Sequence, residues 1–142
     1  MIMRIFTRIM AWCATLMVLH VLPAQAGDIV VIGHSNVPKM DVLTVQKIYT
    51  GKFIAVAGVS VVPVGMTSGS PVRSRFLQEF LGQDEEKYDA YWTVRRYIGK
   101  GTPPSEMADA ADVIRYVLST PGGIGYIDAV ELRTGLNVVA RK

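Results

Sequence analysis

The amino-acid sequence predicts an α/β domain built on one mixed, mostly parallel sheet flanked by helices, and three segments carry that expectation. Residues 29–32 read Ile-Val-Val-Ile and stop at Gly33; such an unbroken run suits a strand buried on both faces, as in a parallel sheet covered by helices. Residues 70–82 open on Ser70-Pro71, close on Gly82, and set Val72, Phe76, Leu77, Phe80 and Leu81 at helical spacing between them. A cap, a first-turn proline and one apolar stripe agree on a helix. Residues 124–127 read as a further strand behind the turn Pro121-Gly122-Gly123. Strand and helix signals alternate, which is the α/β pattern.

Ahead of the first strand, residues 1–26 are expected to be a cleavable secretory signal. Arg4 and Arg8 open the chain with no acid, and residues 9–22 are apolar apart from Thr15 and His20. Pro23 then breaks the helix, and Ala24-Gln25-Ala26 places small residues three and one before a cut at Ala26–Gly27. A membrane-spanning helix needs roughly 20 apolar residues, so no stable membrane insertion is expected after cleavage. Cys13 follows Met10-Ala11-Trp12, which is not the small-residue context of a lipid-modified cysteine. The expected location is the periplasm or another secreted compartment, and the working domain is residues 27–142.

Loss of the signal changes the composition. The chain has one cysteine, Cys13, so the mature domain holds no disulfide and no cysteine metal site. Of 15 basic and 12 acidic residues, Arg4 and Arg8 leave with the signal, so 13 basic residues remain against 12 acids. A near-neutral chain with no basic block argues against nucleic acid as a partner. Subtracting 26 from 142 residues leaves 116, the size of one domain with an ordinary hydrophobic core.

The remaining elements follow in order. Asp41 caps a helix through Leu43, Val45, Ile48 and Tyr49 that ends at Gly51. Residues 59–64 are a second β-branched run, in which Pro63 implies an incomplete ladder. Asp84 caps a helix carrying Tyr88, Tyr91, Trp92 and Ile98, stopped by Gly99; its acids Asp84, Glu85 and Glu86 suit a solvated first turn. Residues 99–105 form a loop, from which Ser105 caps a helix through Val113, Ile114, Val117 and Leu118. Residues 136–140 make the last strand.

One constellation can carry binding chemistry. Thr67, Ser68, Gly69 and Ser70 join a strand to a capped helix, where free N–H groups and the helix dipole favour an anion. Gly69 allows close approach, the hydroxyls can donate, and Arg73 lies one turn into the same helix. The competing reading makes Ser70 an ordinary N-cap and Ser68-Gly69 an ordinary turn. Ser35 and Asn36 follow the first strand and would add donors to the same cradle, since open α/β sheets bind ligands outside the carboxyl ends of their strands; the competing reading makes His34-Ser35-Asn36 an ordinary turn. Arg95 either reaches a ligand, stacks on Trp92, or lays its stem along apolar surface. His34 is the one mature histidine, so no zinc site is expected. No cofactor loop and no nucleophile–base pair is visible.

Several of these residues carry a resemblance. Residues 43–53, with Ile48-Tyr49 before Gly51-Lys52, residues 61–64, the turn Thr67-Ser68-Gly69-Ser70, the pair Arg75-Phe76 and the closing Pro121-Gly122-Gly123-Ile124-Gly125-Tyr126-Ile127 resemble the phosphate-binding proteins of ABC transporters. That family has the type 2 periplasmic binding fold. The resemblance implies a single periplasmic-binding-protein-like lobe, since family members have two lobes in a chain at least twice as long. The tryptophan that many relatives carry after the Gly-Lys pair is absent from residues 53–58. The implied function is an extracytoplasmic, non-catalytic solute-binding protein for phosphate or a similar small anion, with an ABC permease or an envelope protein as partner and no cofactor. The alternative is a reduced lobe without ligand that serves as an envelope interaction or regulatory module.

Overall fold

The computed structural model describes residues 27–142, so the expected signal and its Ala26 side of the cleavage point lie outside the described residues. Strand β1 (Ile29–Gly33) is buried along its whole length, as its unbroken β-branched run requires. It does not lie in a parallel environment. β6 (Gly123–Asp128) and β7 (Asn137–Arg141) flank it, and both pair with it antiparallel. β4 (Val62–Met66) runs parallel to β6 and to β5 (Ser105–Met107), giving the strand order β5-β4-β6-β1-β7. The sheet is therefore mixed but mostly of one direction, because β1 alone opposes the other four strands.

The apolar run at 59–64 divides into two elements. Ala57 and Gly58, both with positive φ, turn a small hairpin of β2 (Ala55–Val56) and β3 (Val59–Ser60), and the chain then enters β4. β4 changes partners along its length: Val62 and Pro63 face β6, whereas Val64 to Met66 face β5. Pro63 has no N–H to give the ladder. Where the β6 pairing has lapsed, the buried Tyr126 hydroxyl accepts from the Met66 N–H at 2.9 Å.

Helix α1 (Val42–Tyr49) begins where Asp41 accepts from the Thr44 N–H, and α3 (Glu85–Tyr97) where Asp84 accepts from the Lys87 N–H. Ser70 caps α2 (Pro71–Phe76), which widens into a π turn over Leu77–Leu81 before Gly82 ends it in the left-handed region. The wider turn keeps Phe76, Leu77 and Phe80 all inside. Ser105 is not a helix cap, contrary to expectation. It starts edge strand β5, and α4 (Ala110–Ser119) is capped by Asp109 through the Asp112 N–H. Both residues are good caps, and pairing of 105–107 with β4 decides between them.

The core is aromatic at its centre. Phe76 stacks on Tyr126 with ring centroids 3.8 Å apart and meets Tyr49 edge-on at 4.7 Å. The Tyr49 hydroxyl donates to the Val64 carbonyl and the Tyr88 hydroxyl to the Tyr49 carbonyl, so each buried hydroxyl has a partner, as burial requires. Burial pushes the Tyr126 phenol up to about 12. The glycines of the 121–127 segment serve packing. A Cβ on Gly122 would collide with the Ser60 carbonyl, and one on Gly125 with the Val113 methyl of α4.

Candidate functional site

The turn at 67–70 follows the carboxyl end of β4, beside the carboxyl end of the parallel β5. The Thr67 N–H donates to the Met107 carbonyl at 3.1 Å, tying the turn to that edge, and the Ser70 N–H donates to the Thr67 carbonyl at 3.1 Å. Gly69 has φ +86°, with open space where a Cβ would stand. Thr67, Ser68 and Gly69 are exposed and Ser70 is half-buried. Among the described residues the N–H groups of Ser68 and Gly69 have no protein acceptor. Ser70 Oγ also accepts from the Arg73 N–H, at a long 3.4 Å. The turn thus offers two free backbone donors and three hydroxyls on an open surface.

Arg73 belongs to a different arrangement from the one expected. Its side chain is buried, and four of its N–H groups are directed at protein oxygens. Nε sits 2.8 and 2.9 Å from the two Glu85 oxygens, Nη1 donates to the Met66 carbonyl at 2.9 Å and to Glu106 at 3.1 Å, and Nη2 lies 3.5 Å from Asp89. Burial works against the guanidinium's charge, but the hydrogen bond and charge of Glu85, with Glu106, outweigh it and raise its pKa. Arg73 is therefore a clasp between α2, α3 and the ends of β4 and β5. Through Met66 it fixes the residue that precedes the turn. The nearby Arg75 is likewise engaged, with Asp128 at 2.9 Å. The sequence hinted at this clasp only in the acids of the α3 first turn, which suit solvent as well as an ion pair; Glu85 is in fact drawn inward. Glu106 and Asp89 gave no local signal.

Ser35 and Asn36 lie elsewhere. Because β1 runs against its neighbours, its last residue Gly33 faces Ile124, at the start of β6. The His34 N–H donates to the Gly123 carbonyl and Asn36 Oδ1 accepts from the Gly122 N–H. Asn137 donates to the carbonyls of His34 and Val37. This is a closed structural turn at the amino ends of β4 and β6, whereas the 67–70 turn is at the carboxyl end of β4. One cradle shared by Ser35, Asn36 and Ser70 does not form. Arg95, for its part, lies over the Tyr91 and Trp92 rings and donates to the carbonyls of Gly51 and Lys100; of its three readings the stack on Trp92 is the one that forms.

Comparison with known proteins places the fold. No family model matches the chain, and no curated protein matches by sequence. Solved structures do. A phosphate ABC transporter substrate-binding protein of Clostridium perfringens with bound phosphate superposes with TM-score 0.58 and 21% identity over 79% of this chain and 44% of its own. PstS of Borrelia burgdorferi gives 0.58 and 15% over 80% and 46%. An ABC-type phosphate transport receptor of Vibrio cholerae gives 0.55 and 9% over 79% and 45%. This chain has the fold of a periplasmic binding protein lobe. It spans less than half the length of each of these structures. Among the described residues no helix is long and apolar enough to cross a membrane.

Proposed function

We propose that this protein is an extracytoplasmic solute-binding lobe that holds a small oxyanion, phosphate or one like it, at Thr67, Ser68, Gly69 and Ser70. The observation that carries the reading is the open turn with two unpartnered N–H groups at the carboxyl ends of parallel strands, where α/β sheets bind ligands. It occurs in a fold shared with three phosphate-transport proteins. Arg73 enters this reading as a positioning residue behind the turn, not as a direct ligand. The lobe has no catalytic role in this reading. It acts beyond the cytoplasmic membrane after export, alongside an ABC permease.

Titration calorimetry with phosphate, sulfate and chloride tests it. Saturable phosphate binding that weakens tenfold or more in Ser68→Ala and Ser70→Ala supports the turn as the site, each hydroxyl contact to a charged group being worth about 1.5–3 kcal/mol. No heat with phosphate at millimolar concentration in the wild type sinks it. That result would favour the second reading, a reduced lobe acting as an envelope interaction module. A specific observation supports this alternative: Glu85, Asp89 and Glu106 surround the one arginine beside the turn, so no net positive charge is left there to draw an anion.

A further inference from the structure

A second concavity lies toward the opposite end of β4, about 13 Å along the strand from the 67–70 turn. It is a cavity of about 340 Å³ between the end of α1, the end of α3 and the 99–104 loop, within the size range of small-ligand pockets. One side of its wall is apolar and aromatic (Phe53, Ile54, Pro63, Trp92, Pro103 and Pro104), and Lys100, Thr102 and Ser105 with backbone groups make the rest polar. Ile54 is 80% exposed and Phe53 40% at its mouth, an arrangement that leaves apolar surface in water for an occupant to cover. Trp92 is buried, yet its indole N–H has no hydrogen-bond partner in the protein.

Among the described residues, the charged side chain that lines it is Lys100. Segments 42–56 and 90–105, which supply most of the walls, contain Lys47, Lys52, Arg95, Arg96 and Lys100 and no acid. None of these five enters an ion pair among the described residues. Lys47 is held over the Phe53 ring and Arg95 over Trp92, whereas Lys100 lines the cavity itself. Lys100 is thus the charged residue of the cavity wall itself, whereas Arg96 stands with Asp89 and Glu106 on the neighbouring face of Trp92 and Pro103. The acids gather instead near Arg73 and along 106–112.

We propose that this cavity binds a small amphipathic monoanion, a medium-chain acyl carboxylate, with the chain against Phe53, Ile54 and Trp92 and the carboxylate at Lys100. The site is separate from the 67–70 turn and does not depend on that turn binding phosphate. Apolar walls select the chain, and the unpaired lysine selects the charge. Phosphate, with no apolar part, gains nothing from these walls.

Trp92 provides the readout, because the chain's other tryptophan is Trp12. In the full chain carrying Trp12→Phe, octanoate is expected to change Trp92 emission saturably, and octan-1-ol to do so more weakly. Hexanoate should bind about tenfold or more weaker than octanoate, since each buried methylene is worth roughly fourfold. Lys100→Ala should weaken octanoate about two- to fivefold, the range of an exposed ion pair, and leave octan-1-ol unchanged. Ile54→Asp, at an exposed position, should weaken both. Saturating phosphate should leave the octanoate response in place, so failure of the phosphate reading and failure of this one remain distinct. No saturable emission change with octanoate at about 10 mM, equal affinity for octanoate and octan-1-ol, or an unaltered Lys100→Ala would each overturn the proposal.

Discussion

Gly122→Ala is the substitution for which the structure gives the largest and most separable cost. Gly122 has φ +77°, and its added Cβ would run into the Ser60 carbonyl at the junction of β3 and β4. Its carbonyl accepts from the Val62 N–H at 2.8 Å and its N–H donates to Asn36 Oδ1 at 3.0 Å. The left-handed backbone costs an alanine about 1–2 kcal/mol. Moving the backbone away from Ser60 weakens both hydrogen bonds, each worth about 1 kcal/mol net. The sum is roughly 3–4 kcal/mol, or about 12–16 °C in melting temperature for a domain of this size. Gly69→Ala supplies the control. It has φ +86° but nothing within 4 Å of the added Cβ, so it should cost only the backbone share of about 1–2 kcal/mol. Urea denaturation of the two variants, read by Trp92 emission and far-ultraviolet dichroism, compares them directly. Equal losses would refute the argument that close approach to Ser60, and not the backbone angle, sets the need for glycine at 122.

Three further outcomes are expected. Tyr126→Phe keeps the stack on Phe76 but leaves the buried Met66 N–H without its acceptor, and should cost about 1–2 kcal/mol in urea denaturation. Asp128 is held below the usual carboxylate range because, against burial, the Val130 N–H and Arg75 favour its charged form. A lowered folded pKa contributes stability above the unfolded value, near 3.8, that is lost as pH falls through the folded value. Asp128→Asn should therefore cost about 2 kcal/mol at neutral pH, with the gap to wild type closing below pH 4 in denaturation at stepped pH. Arg73→Met removes the clasp. Breaking a buried pair costs about 3–5 kcal/mol, but Glu85, Glu106 and Asp89 keep side-chain exposures of 30%, 44% and 58%, so roughly 2–3 kcal/mol is expected. Loss of ligand binding in Arg73→Met would then accompany a melting shift, whereas Ser68→Ala should lose binding at nearly constant stability.

Features that depend on neighbours a few residues apart were legible in the amino-acid order. Asp41, Ser70 and Asp84 each cap the helix they precede, because an N-cap is a contact with a residue three positions on. The run at 29–32 is buried on both faces, as its lack of alternation requires. The class of the fold and the open turn at 67–70 follow from the same local signals. Tertiary structure decided everything that rests on distant pairing. The apolar pattern of β1 is the same for a parallel or an antiparallel strand, so only its neighbours could reveal the reversal that carries Ser35 and Asn36 away from Ser70. Ser105 and Asp109 are equally good caps, and the ladder with β4 made one of them a strand residue. Arg73 has helical neighbours that say nothing of Glu106, 33 positions later in the chain. A long cationic side chain takes its partners from whatever the fold brings within reach, and here the fold brings three carboxylates.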